Sequence, residues 1–285
     1  MIGLPLLRSA SQLRSRVKSW RAFGETTVVV PIFGLPHAGH AHVLREAAQH
    51  GDRILAALVP PAVPEGADAA DGPSPHEPQA VALADEAGAD AIYVPSTAVF
   101  RPAGFASLLH VGGLSEVLDG EERPDAFDAF SADIARLFSQ AQPDVAVFCA
   151  CEWQSMAIAR RIAADFDLCG SVVAVEQERA EDGVPCTRTT YEIDEAGRAD
   201  AVRLWRALTR AAADIDGGQN ADAVLDAAAD ALADAGAEVE YFDLRDAATL
   251  QEVSAPEPQR PARIFAAIQT AGNVRLLDNV PLGGR

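Results

Sequence analysis

Apolar positions near the start of the chain follow two different spacings. Ser11 to Phe23 carries apolar side chains at helical spacing, which predicts a helix that ends at Gly24. Thr26 to Ile32 is almost continuously β-branched, a pattern typical of a strand buried on both faces of a parallel sheet. Ala41 to His50 is amphipathic again. The chain therefore begins with a helix, a strand and a second helix.

The same alternation continues through the first part of the chain. The predicted strands are Arg53–Val59, Asp90–Pro95, Val145–Phe148 and Ser171–Val175, and the predicted helices are Ala80–Glu86, Ala126–Ala141 and Gln154–Phe166. Strands that alternate with helices in this way predict a doubly wound α/β domain with a parallel, Rossmann-like sheet.

One segment of this domain, Pro60 to Pro78, breaks the alternation. It is rich in Pro, Gly, Ala and Asp and has few large apolar side chains. A segment of this composition buries too little apolar surface to offset the entropy lost when it is ordered. We therefore predict a mobile flap between the second and third strands.

After Gly183 the chain becomes alanine-rich. The predicted elements there are helices Ala199–Ile215 and Asn220–Ala235, then strands Val239–Leu244, Ile264–Ile268 and Val274–Leu277. Helices followed by strands predict a smaller α+β domain. With a boundary near residues 176–183, we predict a first domain over 1–178 and a C-terminal lid domain over 179–285.

The charge balance narrows the possible partners. The chain has 23 basic and 42 acidic residues and a net charge of −19, so it repels nucleic-acid phosphates and anionic membranes. No apolar run approaches the roughly 20 residues that a membrane-spanning helix needs. The short apolar stretch before Arg8 does not suit a secretory leader. We therefore expect a cytoplasmic protein with neither nucleic acid nor membrane as a partner.

The four cysteines are too few for a disulfide framework in a chain of 285 residues. They are Cys149, Cys151, Cys169 and Cys186. Because thiols stay reduced in the cytoplasm, we expect all four to be free. Cys149 and Cys151 could supply two metal ligands, but no further ligands lie near them in the sequence, so we expect no metal site.

The main candidate for chemistry is the segment His-Ala-Gly-His at residues 37–40, between a predicted strand and a predicted helix. Gly34 and Gly39 allow the backbone to approach a ligand closely. The helix N-terminus offers unpaired N–H groups, and the imidazoles of His37 and His40 can donate to phosphate oxygens. Such a short match also arises by chance at surfaces, but its position between strand and helix favours a phosphate-binding turn.

These residues are part of a longer series of ordered matches to one family. The matching segments are Val30–Gly34, His37–His40, Ala87–Ser96, Gly113–Gly120, Arg123–Phe127, Leu137–Asp144, Arg179–Gly183, Val239–Asp246 and Arg275–Asn279. The chain resembles the pantothenate synthetase family, ATP-dependent ligases that join pantoate to β-alanine and carry the HIGH-type motif of the nucleotidyltransferase superfamily.

The resemblance implies a nucleotide-binding first domain, ATP and Mg²⁺ as cofactors, small carboxylic acid and amine substrates, and a homodimer. It also implies that His37 and His40 act on the transferring phosphate and that Gly34 and Gly39 belong to the ATP site.

The chain departs from the family where substrates bind. The family's Gly-Glu-Lys-Asp-Tyr-Gln-Gln segment, whose lysine contacts the ATP phosphates, reads Cys-Ala-Cys-Glu-Trp-Gln-Ser over residues 149–155. The resemblance implies that Glu152 holds the ribose and that Cys151 stands in place of the lysine. It places Gln154 and Ser155 at the acid substrate, with Ser155 in place of a glutamine that holds pantoate.

Two further contacts of the family are altered. Val63 stands where the family has its other pantoate glutamine, and an apolar side chain cannot hold a hydroxyl or a carboxylate. The family's Met-Ser-Ser-Arg loop, which closes on the phosphates, reads Cys-Thr-Arg-Thr over residues 186–189. The resemblance implies that Thr187 contacts ATP and that Arg188 supplies a catalytic cation if the loop shifts by one residue.

Together, the retained histidine turn and the altered acid contacts predict an ATP-dependent carboxylate–amine ligase. It would act through an acyl-adenylate on a small acid other than pantoate. One alternative is a catalytically reduced relative that binds a small molecule or a partner. Another is a repurposed enzyme that does not use ATP, in which His40 activates the Cys151 thiol as a nucleophile.

Overall fold

The computed structural model describes residues 3–60, 72–257, 259–270 and 272–283. The chain divides into two compact units. The first contains Met1–Ser115 and Arg123–Glu176, and the second contains Glu116–Glu122 and Gln177–Arg285. No helix among the described residues is long and apolar enough to cross a membrane.

The helices and strands have the following bounds. The strands are β1 Leu6–Leu7, β2 Thr27–Phe33, β3 Arg53–Val59, β4 Ala91–Tyr93, β5 Val145–Cys149, β6 Ser171–Val175, β7 Glu238–Asp246, β8 Ala262–Gln269 and β9 Arg275–Pro281. The helices are α1 Ala10–Ala22, α2 Ala38–Ala47, α3 Glu77–Glu86, α4 Thr97–Phe100, α5 Asp119–Glu122, α6 Pro124–Ala141, α7 Trp153–Phe166, α8 Arg188–Glu192, α9 Glu195–Asp216 and α10 Ala221–Asp234. A 3₁₀ turn, Ala150–Glu152, joins β5 to α7.

The first unit is built on one six-stranded sheet in the order β1-β4-β3-β2-β5-β6. Its strands pair in parallel. Since β2 has β3 on one side and β5 on the other, the winding direction of the chain reverses between β2 and β5. The predicted doubly wound α/β domain is confirmed.

Apolar side chains explain why β2 lies at the centre of this sheet. Val28, Val30 and Ile32 of β2 are buried in a core that also contains Val43 and Leu44 of α2. A strand buried on both faces needs apolar side chains at successive positions, and the β-branched run supplies them.

The second unit contains an antiparallel sheet in the order β7-β8-β9. Leu204 and Leu208 of α9 share a buried core with Phe242 and Ile264 of this sheet. This confirms the predicted smaller α+β part of the fold. Asp119 of α5 accepts hydrogen bonds from the Tyr241 hydroxyl at 2.7 Å and from Arg275 Nη2 at 2.8 Å, which ties residues 116–122 to this unit.

The structure corrects several predicted boundaries. Helix α2 begins at Ala38, earlier than predicted, because the His37 side chain caps it. Helix α3 begins at Glu77, so the last two residues of the predicted flap are helical, while residues 61–71 lie outside the part of the chain that is described. Strand β1 was not predicted, because two residues are too few to show a period.

Candidate functional site

The candidate site lies at the point where the sheet changes its winding direction. Strands β2 and β5 are parallel neighbours, paired through Val28 with Val145 and Val29 with Ala146. Their carboxyl ends therefore lie at the same edge of the sheet, with the histidine turn after β2 and the 3₁₀ turn after β5. In doubly wound folds, ligands bind in the crevice at this reversal point.

The turn after β2 begins with a glycine in the left-handed region. Gly34 has a φ of +70°, and a Cβ added to it would meet nothing within 4 Å. Glycine is therefore favoured here by the positive φ angle of the backbone and not by a lack of room for a side chain. The same turn is held from outside by Gln79 of α3, whose Nε2 donates to the Pro36 carbonyl at 2.8 Å.

The two histidines of the turn form a reciprocal cap at the start of α2. The Gly39 N–H donates to His37 Nδ1 at 3.2 Å, and the His37 N–H donates to His40 Nδ1 at 3.3 Å. The ring centroids of His37 and His40 are 4.0 Å apart. The predicted pair is therefore brought together, with both Nδ1 atoms used as acceptors.

Burial keeps both imidazoles neutral at pH 7. It lowers the pKa of His37 to about 4. The pKa of His40 is lowered to about 3, chiefly by burial and in addition by electrostatic repulsion from His37. A neutral ring whose Nδ1 accepts a hydrogen bond carries its proton on Nε2, which makes Nε2 a donor. This turn can therefore offer phosphate oxygens two neutral N–H donors and no fixed positive charge.

The cap also corrects one detail of the predicted turn. The Gly39 N–H is bonded to the His37 ring, and the His40 N–H donates to the His37 carbonyl at 2.9 Å. The sequence predicts unpaired N–H groups at this helix start, and these two are paired. Histidine takes the capping place that serine or aspartate usually fills, and the imidazole edges remain as the donors of the turn.

The segment after β5 presents the other site residues of the first unit. Glu152 ends the 3₁₀ turn, and although the residue as a whole is exposed, its carboxyl is withdrawn from water, which raises the pKa of that group. Gln154 is buried in the first turn of α7, and its Nε2 donates to the Leu114 carbonyl at 2.8 Å. Ser155 is half-buried beside it. Part of the Gln154 amide therefore holds the residue 114 loop.

The structure overturns the expectation of four free thiols. Cys149 and Cys151 form a disulfide, whereas Cys169 and Cys186 are free. The 3₁₀ turn brings the Cα atoms of the pair to 5.2 Å, within the range that a disulfide spans. A sulfur bonded in this way is not a thiolate, so the alternative with Cys151 as nucleophile does not fit this form of the protein.

Thr187 and Arg188 lie in the second unit. The Thr187 hydroxyl caps α8, accepting from the Thr190 N–H at 3.4 Å. Arg188 is exposed and forms an ion pair with Glu192, with 3.5 Å between Nε and Oε2. Val63 lies outside the described residues.

The segment that precedes Thr187 in the chain is held by a cluster of contacts that the sequence did not predict. Arg179 forms a two-point ion pair with buried Asp278, at 2.7 and 2.8 Å, and lies 3.6 Å from the centre of the Trp205 ring. Gly183 accepts from Arg179 at 2.9 Å through its carbonyl, and a Cβ there would lie 2.0 Å from Trp205. Arg179 and Gly183 were noted in the sequence only as family matches. Their partners are far away in the chain, so local spacing carries no sign of this contact.

The described side chains also include potential metal ligands. Over the part of the chain that the structure describes, no three His, Cys, Asp or Glu side chains are arranged to hold a metal ion.

Comparison with known proteins agrees with the geometry. A family model described as pantoate-beta-alanine ligase matches residues 5–281. A pantothenate synthetase from Rhodospirillum rubrum is 35% identical over 283 residues, covering 98% of this chain and 99% of the relative. The crystal structure of pantothenate synthetase from Thermus thermophilus is similar with a TM-score of 0.81 at 25% identity, over 97% of this chain and 99% of that one.

A third similarity concerns the fold alone. A pantoate-beta-alanine ligase from Francisella tularensis, complexed with beta-gamma ATP and beta-alanine, has a TM-score of 0.74 at 17% identity over 98% of both chains.

The parallel sheet with a histidine turn at its reversal point defines the fold class of the HIGH-motif nucleotidyltransferases. Within that class, the chain belongs to the pantoate–β-alanine ligase family.

Proposed function

We propose that this chain is an ATP-dependent ligase that activates a small carboxylic acid other than pantoate and joins it to an amine. The observation that carries the proposal is the paired, neutral His37–His40 turn at the reversal point of the sheet. Family membership supports ATP as a substrate. The residues that differ from the family, Ser155 and Val63, support a different acid.

The proposed reaction has two steps. A carboxylate oxygen of the acid attacks the α-phosphorus of ATP, which forms an acyl-adenylate and releases pyrophosphate. The amine then attacks the acyl carbon, an amide forms, and AMP leaves with the electron pair of the broken C–O bond. Negative charge builds on the phosphate oxygens in the first step, where fixed N–H donors stabilise the transition state more than the ground state.

Named residues take separate parts in this proposal. The Nε2–H groups of His37 and His40 donate to phosphate oxygens, and Gly34 and Gly39 shape the turn that carries them. Glu152 accepts from the ribose hydroxyls, for which its position at the start of α7 is suited.

The remaining roles follow from the family resemblance. Thr187 and Arg188 close on the phosphates, and Gln154, Ser155 and Val63 face the acid. Mg²⁺ bound to the phosphates of ATP would neutralise part of their charge.

A catalytically reduced relative is the second candidate. Residues 34–40 and 149–155 contain no lysine or arginine, and Arg188 is ion-paired with Glu192. Fixed cations supply much of the stabilisation in phosphoryl chemistry, so their absence from both turns favours a chain that binds a nucleotide without joining substrates.

Pyrophosphate exchange into ATP separates the two candidates. We expect exchange in the presence of one member of a panel of small acids, and a slower rate with pantoate. His40→Asn should reduce exchange by about 100-fold or more, because it removes a donor to the transition state. Exchange that His40→Asn leaves unchanged would contradict the role of the turn. ATP binding without exchange for any acid would select the reduced relative.

We further infer, from the family resemblance, a homodimer located in the cytoplasm. Sedimentation equilibrium tests the first statement, and a single species at the mass of one chain would contradict it. Fractionation of the source cells tests the second.

A further inference from the structure

The disulfide between Cys149 and Cys151 lies in the turn after β5 that belongs to the candidate site. Cys149 is the last residue of β5, and Cys151 lies in the 3₁₀ turn directly before Glu152. Cys149 also packs against the core between the sheet and α2. The pair therefore joins the end of a central strand to the residue that precedes the proposed ribose contact.

A second contact supports the same turn. The Cys151 N–H donates to Cys149 Sγ at 3.2 Å, and the cysteines are separated by the single buried residue Ala150. The covalent bond and this hydrogen bond both restrict the backbone between residues 149 and 151. Breaking the S–S bond leaves only the weaker restraint.

The other two cysteines differ from this pair in environment. Burial raises the pKa of Cys169 to about 11, and its thiol donates to the Ser171 carbonyl at 3.0 Å. Burial raises the pKa of Cys186 as well, and the charge of Glu178 adds to this effect. Thiols with raised pKa values are poor in thiolate and react slowly. Cys169 and Cys186 are therefore poorly suited to exchange, and the disulfide between Cys149 and Cys151 is the bond that a dithiol can attack.

We propose that Cys149 and Cys151 form a reversible thiol–disulfide site whose reduction by a dithiol loosens the turn that carries Glu152 and so weakens ATP binding. The effect on ATP rests on the proposed function, whereas the exchange chemistry does not. A restrained turn binds more tightly because less conformational entropy is lost when the ligand orders it.

The exchange step is balanced. A thiolate of the dithiol attacks one sulfur of the pair, which forms a mixed disulfide and releases the other cysteine as a thiolate that takes up a proton. The second thiol of the reductant then attacks its own mixed-disulfide sulfur. The products are two protein thiols and one oxidised, cyclic reductant, with two electrons transferred to the protein. The dithiol is the only co-reactant.

Alkylation and mass spectrometry of the full chain test the chemistry without reference to ATP. After oxidation with diamide, two of the four cysteines should react under denaturing conditions, and after reduction with dithiothreitol all four. Cys151→Ser should give the same count before and after reduction, and Cys169→Ser should still gain two reactive thiols. Four reactive thiols in the oxidised wild-type chain would overturn the proposal.

Hydrogen exchange and ATP affinity test whether reduction loosens the turn and weakens ATP binding. Both are measured on the wild-type chain, so misfolding of a variant cannot account for the result. Reduction should speed amide exchange in residues 150–155 by about tenfold and weaken ATP binding by about three- to tenfold. Equal exchange rates, or equal ATP affinities, in the two states would overturn the switch. If ATP binds in neither state while the thiol counts and exchange rates change as expected, the proposed function fails and the redox site stands.

Discussion

Protonation of the His37–His40 pair gives a direct test of the site geometry through protein stability. Both rings are neutral in the folded chain at pH 7, because burial lowers the pKa of His37 to about 4 and that of His40 to about 3. In the unfolded chain both rings titrate near the ordinary value of 6.5. Below that pH the unfolded chain binds more protons than the folded one, so stability falls as the pH falls.

The size of the effect follows from these pKa values. Between pH 7 and pH 5 each ring that stays neutral in the folded state lowers the free energy of unfolding by about 2 kcal/mol. The two rings together therefore lower it by about 4 kcal/mol, an upper value because the rings are 4.0 Å apart and each influences the other. Below about pH 4 the loss levels off as His37 begins to titrate in the folded chain.

His37→Asn is the informative substitution. Asparagine is a good N-cap residue that can still accept from the Gly39 N–H, so α2 keeps its first turn while one titrating group is removed. Urea unfolding at pH 7 and pH 5 should show about 2 kcal/mol less loss for this variant than for the parent. The matched control is His50→Asn, at an exposed position just after α2, which should follow the parent. A His37→Asn variant with the same pH dependence as the parent would refute the burial of the ring.

Three further results are expected. Gly183→Ala should lower the free energy of unfolding by several kcal/mol, because its Cβ would lie 2.0 Å from Trp205. Gly218→Ala, also at positive φ but with open space around it, should lower it by about 1 kcal/mol. Melting curves of both variants measure the difference. Arg188→Ala should change stability by less than about 1 kcal/mol, since its ion pair with Glu192 is exposed, but should slow pyrophosphate exchange; an unchanged rate would remove the residue from the site. The family residues are restored in a triple variant with Cys151→Lys, Ser155→Gln and Val63→Gln. This variant should gain pantoate-dependent AMP formation, and a folded triple variant without that activity would contradict the assigned positions.

Elements with a continuous apolar run were predictable because burial on both faces leaves little choice of residue. Strand β3, which is buried along nearly its whole length, has the predicted bounds Arg53–Val59. Strand β6 also has its predicted bounds, Ser171–Val175, although it is an edge strand in which only Val172 is buried. The short helices α4 and α8 were missed, since four or five residues do not complete two turns and show no periodicity. Both begin at a hydroxyl side chain, Ser96 and Thr187, whose capping contact is clear only in the structure.

The local geometry of the histidine turn was predictable from the sequence, whereas the charge of its rings was not. Sequence spacing places His37 and His40 on one turn. The direction of their pKa shifts depends on their burial, which is set by the tertiary fold and not by the local sequence. The same is true of Cys149 and Cys151. Whether a Cys-x-Cys pair closes on itself depends on the conformation of the intervening residue, and here a 3₁₀ turn sets it.

The lack of a lysine or arginine in both turns limits how this chain could carry out adenylation. The β2 turn offers uncharged N–H donors, and the β5 turn offers a carboxyl whose pKa is raised by lost hydration. Neither turn contains a lysine or arginine, and the net charge of −19 makes the surrounding field unfavourable for a triphosphate. A nucleotide that carries its own divalent cation reduces this repulsion, and Arg188 is the side chain that the family resemblance offers as a further cation. ATP affinity should therefore depend strongly on Mg²⁺, and weak affinity without the ion is the expected result of this charge distribution.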